Sequence, residues 1–398
     1  MKRAPRTSAV SALALALTVL LAPFSAAQAA GLMDAVKGGK PSANLRYRYE
    51  TVDQDGIADT AMASTLRTRL GYTTAPFNGY TAMVEFENVT AVDGDEYNST
   101  LNGKTSRPVV ADPEGSEVNR AALVHKSDTV TTTLGRQRIK LDNDRHVGNV
   151  GWRQNEQTYD AAMVAFSGMP DTVLQYAYVW NVNGITFGNT DVEAHLIHLS
   201  HTNPAGNGLS AYDYLINNNA APATSTQTAG ARYTGAFDRG AGKALLTLEY
   251  AKQSAYQDAP GTVDADYKFA EIGSVTGGIT TKVGYEVLGG DGTYAFQTPL
   301  ATKHAFNGWA DKFLTTPASG LVDFMVTLSG QVAGAKVVAA YHDFSADSGS
   351  TDYGTEWDLL AARKVGDVNV GAKYATFNAD TATFADTDKL WLFAETGF

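Results

Sequence analysis

The chain has 398 residues, with 31 basic and 42 acidic side chains, a formal net charge of −11 at pH 7 and no cysteine. The lack of cysteine excludes a disulfide framework, a thiol nucleophile and a cysteine-based metal site. The acidic balance argues against nucleic-acid binding, and we expect no nucleic-acid partner.

The first 29 residues have the pattern of a secretory signal peptide. Residues 1–6 are basic, residues 9–21 are rich in Ala and Leu, and Ala-Gln-Ala at 27–29 is a small-residue cleavage box. An uncleaved anchor would need about 18 or more apolar residues, and this stretch is shorter. We therefore predict a leader at 1–29 and a mature domain at 30–398.

The mature domain alternates apolar and polar residues in segments bounded by Gly, Pro, Asn and Asp, a pattern typical of β-strands. It predicts eighteen strands at 43–51, 62–74, 79–90, 117–126, 129–138, 157–167, 171–181, 191–203, 207–217, 225–236, 243–253, 264–274, 276–288, 320–330, 333–344, 354–364, 367–378 and 388–398. No mature segment is long and uncharged enough to be a transmembrane helix. The predicted fold class is therefore all-β: a transmembrane antiparallel up-and-down β-barrel of eighteen strands, with sixteen as the alternative count.

The connections alternate between short turns and longer, polar loops. This alternation is typical of periplasmic turns and extracellular loops in an outer-membrane barrel. Two loops are the longest, at 91–116 and 289–319, and long loops often carry function. The second is dense in aromatic residues, so we expect it to be packed, either as a constriction of the lumen or as a shield over its mouth.

The last nine residues, LWLFAETGF, alternate along the final strand and end on Phe398. This ending resembles the carboxy-terminal signature of Gram-negative outer-membrane barrels, in which a terminal Phe is an assembly signal. The resemblance implies an integral protein of the cell outer membrane whose partners are outer-membrane lipids and the barrel-assembly machinery.

Arginines recur at alternate positions on the early strands. An Arg or Lys on the lipid face near the bilayer midplane costs about 2–4 kcal/mol, so we predict that these side chains point into the lumen. The predicted luminal set is Arg46, Arg48, Arg67, Arg69, Arg120, Arg136 and Arg138, interrupted by Glu85 and Glu87. Two interpretations stay open: a basic wall that selects anions, or structural pairing of Arg67 or Arg69 with Glu85 or Glu87. Glu249, Glu271, Glu286 and Asp323 are candidates for an opposite, acidic wall.

Two blocks of sequence carry a specific resemblance. They comprise GRQRI at 135–139, RHVGNVGWRQN at 145–155 and TYD at 158–160, then LGGDG at 288–292, FQTPL at 296–300 and FNGWADKF at 306–313. These motifs resemble the alginate export family of Gram-negative outer-membrane porins. The resemblance implies an eighteen-stranded barrel that conducts anionic polyuronate through a basic lumen. Candidate constriction residues in the two blocks are Arg145, Trp152, Arg153, Phe296 and Trp309.

We therefore expect a porin that passes anionic saccharides of the uronate type, or other small acidic solutes, by diffusion. A general porin of low selectivity is the alternative within this class, and a barrel-embedded hydrolase or a surface receptor are alternatives outside it. The sequence contains no Gly-x-Ser-x-Gly elbow and no metal-ligand constellation, so we expect no enzyme, no catalytic residue, no metal and no cofactor.

Overall fold

A computed structural model describes residues 26–398, so most of the predicted leader lies outside the described residues. The described chain forms eighteen strands: β1 (Lys40–Gln54), β2 (Ala61–Thr73), β3 (Tyr80–Glu96), β4 (Gly115–Lys126), β5 (Val130–Gln137), β6 (Thr158–Met169), β7 (Thr172–Asn183), β8 (Asn189–Thr202), β9 (Gly208–Asn218), β10 (Thr226–Arg239), β11 (Gly242–Ala255), β12 (Asp264–Thr276), β13 (Ile279–Leu288), β14 (Leu321–Val332), β15 (Ala335–Ser345), β16 (Asp352–Val365), β17 (Val368–Ala379) and β18 (Thr387–Gly397). The predicted count and order are confirmed.

The strands form one closed antiparallel sheet. Each strand pairs with its neighbours in the chain, and β1 pairs with β18 from Asn44↔Gly397 to Gln54↔Thr387. A closed ring leaves no sheet edge, which is the condition for a sheet to exist in hydrocarbon. The up-and-down barrel is therefore confirmed.

The described helical segments are short. Helix α1 (Ala26–Lys37) precedes β1 and touches the β2–β3 turn, where the Ala75 N–H donates to the Ala35 carbonyl at 2.9 Å. Two 3-10 turns lie at Pro222–Thr224 and Lys303–Ala305. Within residues 26–398, no helix has the length and apolar character needed to cross a membrane.

Side chains on the strands divide into two faces. Large apolar residues are exposed on the outside all around the barrel, among them Leu70, Phe86, Ile272, Leu328 and Leu359. The inward positions carry buried charged and polar residues together with an aromatic core. The outward apolar surface requires a lipid environment, so the chain is an integral protein of the outer membrane.

Three loops at one end of the barrel reach into the lumen. They are L2 (residues 97–114), L3 (138–157) and L7 (289–320), and the connections at the opposite end are short turns. Phe296, Leu300 and Phe313 of L7 pack in the same buried cluster as Ile139 and Val147 of L3. The hydrophobic core of this protein therefore lies inside the barrel, between the inserted loops and the wall.

The final residue joins the barrel seam directly. The Ala43 N–H donates to the Phe398 carbonyl at 2.7 Å, and the Phe398 N–H donates to the Ala43 carbonyl at 2.9 Å. The Phe398 side chain itself is 79 % exposed. Its ring therefore adds little to packing within the barrel and is free for lipid or for an assembly factor.

We predict that Phe398→Asp impairs assembly, because it places a charge where an aromatic anchor meets the membrane. The measurement is the yield of heat-modifiable protein in the outer membrane. Phe398→Tyr keeps an amphipathic ring at this position and serves as the control, with a yield close to that of the unaltered protein. Equal yields for the Asp and Tyr variants would contradict the prediction.

Candidate functional site

The inward arginines of β1 and β2 are covered by loop L3. Arg46 donates to the Gln154 side chain at 2.9 Å and to the Gly151 carbonyl at 2.9 Å. Arg48 donates to the Trp152 carbonyl at 2.5 Å and forms an ion pair with Asp112 of L2. Both guanidinium groups are buried. This part of the wall therefore anchors the inserted loops.

The next arginines along the wall converge on carboxylates. Arg69 pairs with Glu87, one of the pairings that the sequence left open, and also with Glu156 at 3.3 Å. Arg67 pairs instead with Glu395 of β18, with 2.9 Å between Nη2 and Oε1. Arg120 donates to Glu85, with 2.7 Å between Nη2 and Oε2.

Glu156, the last acid of L3, is the centre of this network. It accepts from Arg138 Nε at 2.6 Å, Asn119 Nδ2 at 2.7 Å and Asn149 Nδ2 at 2.6 Å. Burial alone would raise the pKa of Glu156, but Arg69, Arg138 and the amide donors lower it to about 2. Glu156 is therefore ionised at physiological pH and holds the end of L3 against the basic wall.

Loops L3 and L7 are hydrogen-bonded to each other across the lumen. The Gly148 N–H donates to the Leu300 carbonyl at 2.9 Å, and the Thr302 N–H donates to the Asp144 carbonyl at 3.0 Å. The Tyr159 hydroxyl on β6 donates to the Gly148 carbonyl at 2.7 Å. These backbone contacts make the two loops one structural unit that crosses the lumen.

Asp311 of L7 is a second centre of charge. It accepts from Arg153 of L3 at 2.9 Å, from Lys389 of β18 at 2.8 Å and from His304 Nδ1 at 2.7 Å. The pKa of Asp311 lies well below its usual range because these cationic and hydrogen-bonding partners outweigh the effect of burial. One carboxylate therefore connects L3, L7 and the final strand.

His304 extends this network to the aromatic residues. Its Nε2 faces Lys373 Nζ on β17 at 2.7 Å, and its ring stacks on Trp152 at 5.2 Å between centroids. Lys373 Nζ lies 3.6 Å from the ring centre of Trp309, within cation–π distance. Burial lowers the pKa of His304 to about 3, so the ring is neutral and accepts from Lys373 while donating to Asp311.

Both L3 and L7 are also fixed to acidic residues of the opposite wall, which include the candidates Glu286 and Asp323. Arg145 of L3 donates to Glu286 at 2.7 Å, and Asn307 Nδ2 donates to Asp323 at 3.1 Å. Further along L7, the Ala310 N–H donates to Glu356 at 2.7 Å. The lumen thus has a basic wall that holds L3 and an acidic wall that holds both L3 and L7.

A cavity of about 520 Å³ lies between the inserted loops and the barrel wall, at the end of the barrel that carries the long loops. Four cationic side chains line it, Arg153, Lys303, Lys312 and Lys389, whereas Asp311 is the one carboxylate among its lining residues. Burial lowers the pKa of Lys312 to about 8, with the neighbouring charge of Lys389 acting in the same direction. Burial also lowers the pKa of Lys303, and the charge of Arg145 lowers it further. Lys312 therefore remains cationic at pH 7, and the basic side chains that line the cavity outnumber its one carboxylate.

Most predicted site residues face the lumen, but Arg136 does not. Its register partners are Ala121 and Asp160, and Ala121 in turn pairs with Val84, all on the outward face. The inward positions of β5 are taken by Gly135 and Gln137. The prediction of a luminal Arg136 is therefore wrong, and Arg138 returns to the interior because the strand ends at Gln137.

The five predicted constriction residues all lie in the inserted loops. Arg145 and Arg153 form the ion pairs described above, and Trp152 and Trp309 surround Lys373. Phe296 is fully buried against Tyr267, with ring centroids 5.4 Å apart.

Several residues of the site were not singled out from the sequence: Asp112, Glu156, Lys303, His304, Asp311, Lys312, Lys373 and Lys389. For Lys373 and Lys389 a signal existed, because they share the inward phase of Phe377 and Trp391. Within residues 26–398, no group of three His, Cys, Asp or Glu side chains is arranged to hold a metal ion.

Comparison with solved structures finds this architecture in other proteins. OccK9 (OpdG) of Pseudomonas aeruginosa aligns with a TM-score of 0.74 at 13 % identity, over 92 % of this chain and 100 % of that one. OccAB2 of Acinetobacter baumannii aligns at 0.72 and 15 % identity, over 92 % and 99 %. OpdK of P. aeruginosa, an outer-membrane protein solved with vanillate, aligns at 0.71 and 14 % identity, over 91 % and 99 %.

These likenesses show the fold alone, a closed antiparallel β-barrel that this chain shares with OccK9, OccAB2 and OpdK. No protein-family model matches the sequence, and no curated protein matches it. The resemblance to the alginate export family therefore stays a prediction.

We predict that Asp311→Asn loosens the inserted loops. The change leaves Lys389 buried without its carboxylate, whereas Arg153 keeps Glu50 and Asp112, and breaking a buried pair in this way costs about 3–5 kcal/mol. The measurement is protease cleavage within L7 of the folded, heat-modifiable barrel, which we expect to become faster. Asp258→Asn, in an exposed loop, is the control and should leave cleavage unchanged. An Asp311→Asn barrel as resistant as the unaltered protein would contradict the role assigned to this carboxylate.

Proposed function

We propose that this protein is a diffusion channel for small anionic solutes, with the lysine-lined cavity above the constriction as its point of selection. The single observation that carries the proposal is the charge of that cavity, in which four cationic side chains stand against one carboxylate. A fixed positive charge in a low-dielectric space raises the local concentration of anions and lowers that of cations.

The arrangement of the luminal arginines supports placing selection in the cavity. Arg48, Arg69 and Arg138 are neutralised by carboxylates at contact distance, so the basic wall has little charge left to offer a solute. Lys303 and Lys312, in contrast, have no carboxylate within ion-pair distance in the described part of the chain. Their charge is available to a passing anion.

The nature of the solute follows from the lining and from two likenesses. Val52, Ile57 and Leu314 line the same cavity as the lysines, so a carboxylate with an apolar or ring-shaped body fits its chemistry. Vanillate, which is bound in the structure of OpdK, is such a molecule. Uronates, which the resemblance to the alginate export family implies, share the carboxylate and the ring. Carboxylates on compact rings are therefore the proposed substrate class.

The test removes positive charge from the cavity and leaves the arginines of the barrel wall unchanged. Lys303→Gln with Lys312→Gln should lower the anion-to-cation permeability ratio by about twofold or more, because two of the four cations are lost. The measurement is the reversal potential of reconstituted channels in a salt gradient. Lys336→Gln with Lys364→Gln removes two lysines near the short-turn end and is the matched control.

An unaltered reversal potential in the cavity variant would contradict selection at this site. It would favour the alternative, a general porin of low selectivity, because the arginine wall is already neutralised. Cation preference in the unaltered protein would contradict the anion assignment altogether.

We further predict that anion preference falls as the pH is raised from 7 to 9.5. The pKa of Lys312 is lowered to about 8, so this side chain is charged below that pH and loses its charge above it. The reversal potential should therefore move toward zero across this interval. Lys312→Arg keeps its charge at pH 9.5 and should flatten the response. A pH response that is the same in the arginine variant would assign the titration to another group.

A further inference from the structure

The pairing of the barrel wall is interrupted at the point where L3 leaves it. Strands β4 and β5 pair only from Ala121↔Arg136 to Lys126↔Thr131, whereas β4 continues its pairing with β3 up to Gly115↔Val89. Strand β5 ends at Gln137 because the chain turns into the lumen. The upper part of β4 therefore lacks a strand neighbour on this side within the described chain.

Arg136 spans this interruption on the outside of the barrel. Its Nη1 donates to the Val118 carbonyl of β4 at 2.8 Å, and its Nε and Nη2 donate to the two carboxylate oxygens of Asp160 on β6, at 2.8 and 3.3 Å. Asp160 also accepts from Asn181 and Asn183 of β7, at 3.1 and 3.2 Å. One guanidinium thus connects β4 to β6 across the root of L3, which is the point where L3 leaves the end of β5. We call these contacts of Arg136 with Val118 and Asp160 the outer bridge.

The backbone at this point is shaped to bring the strands together. Gly135 has a φ of +115°, and a Cβ there would lie 2.3 Å from the Ala121 carbonyl oxygen. Only glycine allows β5 to approach β4 this closely in this conformation. The Gln137 amide on the inward side donates to the Ala161 carbonyl of β6 at 3.0 Å.

The position of the outer bridge is unusual for a barrel exterior. The outward residues next to it on the same strands, Leu123, Leu134, Ala162 and Val164, are apolar, and the polar pair His125 and Thr132 follows only near the short turn. A charged pair on the lipid-facing side is costly, and it persists where it satisfies groups that hydrocarbon cannot. Here it satisfies the Val118 carbonyl, which β5 no longer reaches.

The outer bridge faces an inner one across the wall. Two residues after Arg136, Arg138 enters the lumen and pairs with Glu156 at the other end of L3 and with Glu85 of β3 at 3.2 Å. The root of L3 is therefore held from both sides. Of the two bridges, only the inner one has access to the lumen.

We propose that Arg136, together with Asp160, is a positioning residue that fixes the root of L3 and so sets the constriction from outside the permeation pathway. This inference rests on the proposed channel function. It assigns a control of conductance to two residues that no solute touches, and to a sequence motif, GRQRI at 135–139, that the selectivity argument leaves unused.

The test separates positioning from selectivity. Arg136→Ala and Asp160→Asn should give channels with a fluctuating open current and frequent sub-levels, because L3 is free to move at its root. The reversal potential should stay that of the unaltered protein, since the cavity lysines are untouched. A lysine can keep only one of these contacts at a time, so the current of the Arg136→Lys channel should fluctuate less than that of Arg136→Ala and more than that of the unaltered protein. Arg363→Ala removes an exposed outward arginine of β16 and is the matched control, with a steady current.

A second measurement tests the same proposal if the Arg136→Ala variant fails to assemble. Because the chain has no cysteine, Ala121→Cys with Arg136→Cys creates a single pair at the last rung of the β4–β5 ladder. The oxidised form should conduct steadily and the reduced form should fluctuate. Steady currents in Arg136→Ala, or equal noise in the oxidised and reduced forms, would overturn the proposal. Absence of any conductance from the unaltered protein would instead overturn the channel function on which it rests.

Discussion

Hydrocarbon offers no hydrogen-bond partner to a peptide group, and every other feature of this protein depends on that constraint. It requires the ring of eighteen strands to close between β1 and β18. Closure in turn fixes which side chains face lipid and which face the lumen, because they alternate along each strand. Where the hydrogen bonds between β4 and β5 stop beside L3, a side chain must replace the missing backbone donor. Arg136 does so from the lipid-facing side by donating to the Val118 carbonyl.

Inside the barrel the dominant interaction changes from backbone pairing to the pairing of buried charges. Glu156 and Asp311 each accept from several donors that come from distant parts of the chain. Such clusters are stable only when every member is satisfied, because an unpaired buried charge is far more costly than a paired one. The loops are therefore held in one arrangement. The charge that remains for solutes is concentrated on the lysines of the cavity.

The sequence predicts the strands well because lipid and lumen impose a period of two on every strand. It predicts the face of a residue, but not its partner, since ion pairs such as Arg153 with Asp311 join loops 158 residues apart. The error at Arg136 has a readable cause: this residue shares its phase with Val130 and Leu134, which are lipid-facing. An outward arginine is costly in general, but the alternation of the strand determines the face on which this one lies.

The partners of the inserted loops L3 and L7 come from the two ends of the chain. Arg46 and Arg48 belong to the first strand, whereas Lys389, which shares Asp311 with Arg153, belongs to the last. Contacts between such distant segments form late, after the intervening chain is ordered. The full set of contacts around Asp311 therefore exists only when β1 and β18 have met. A barrel halted before that step lacks part of the network that holds the loops across the lumen.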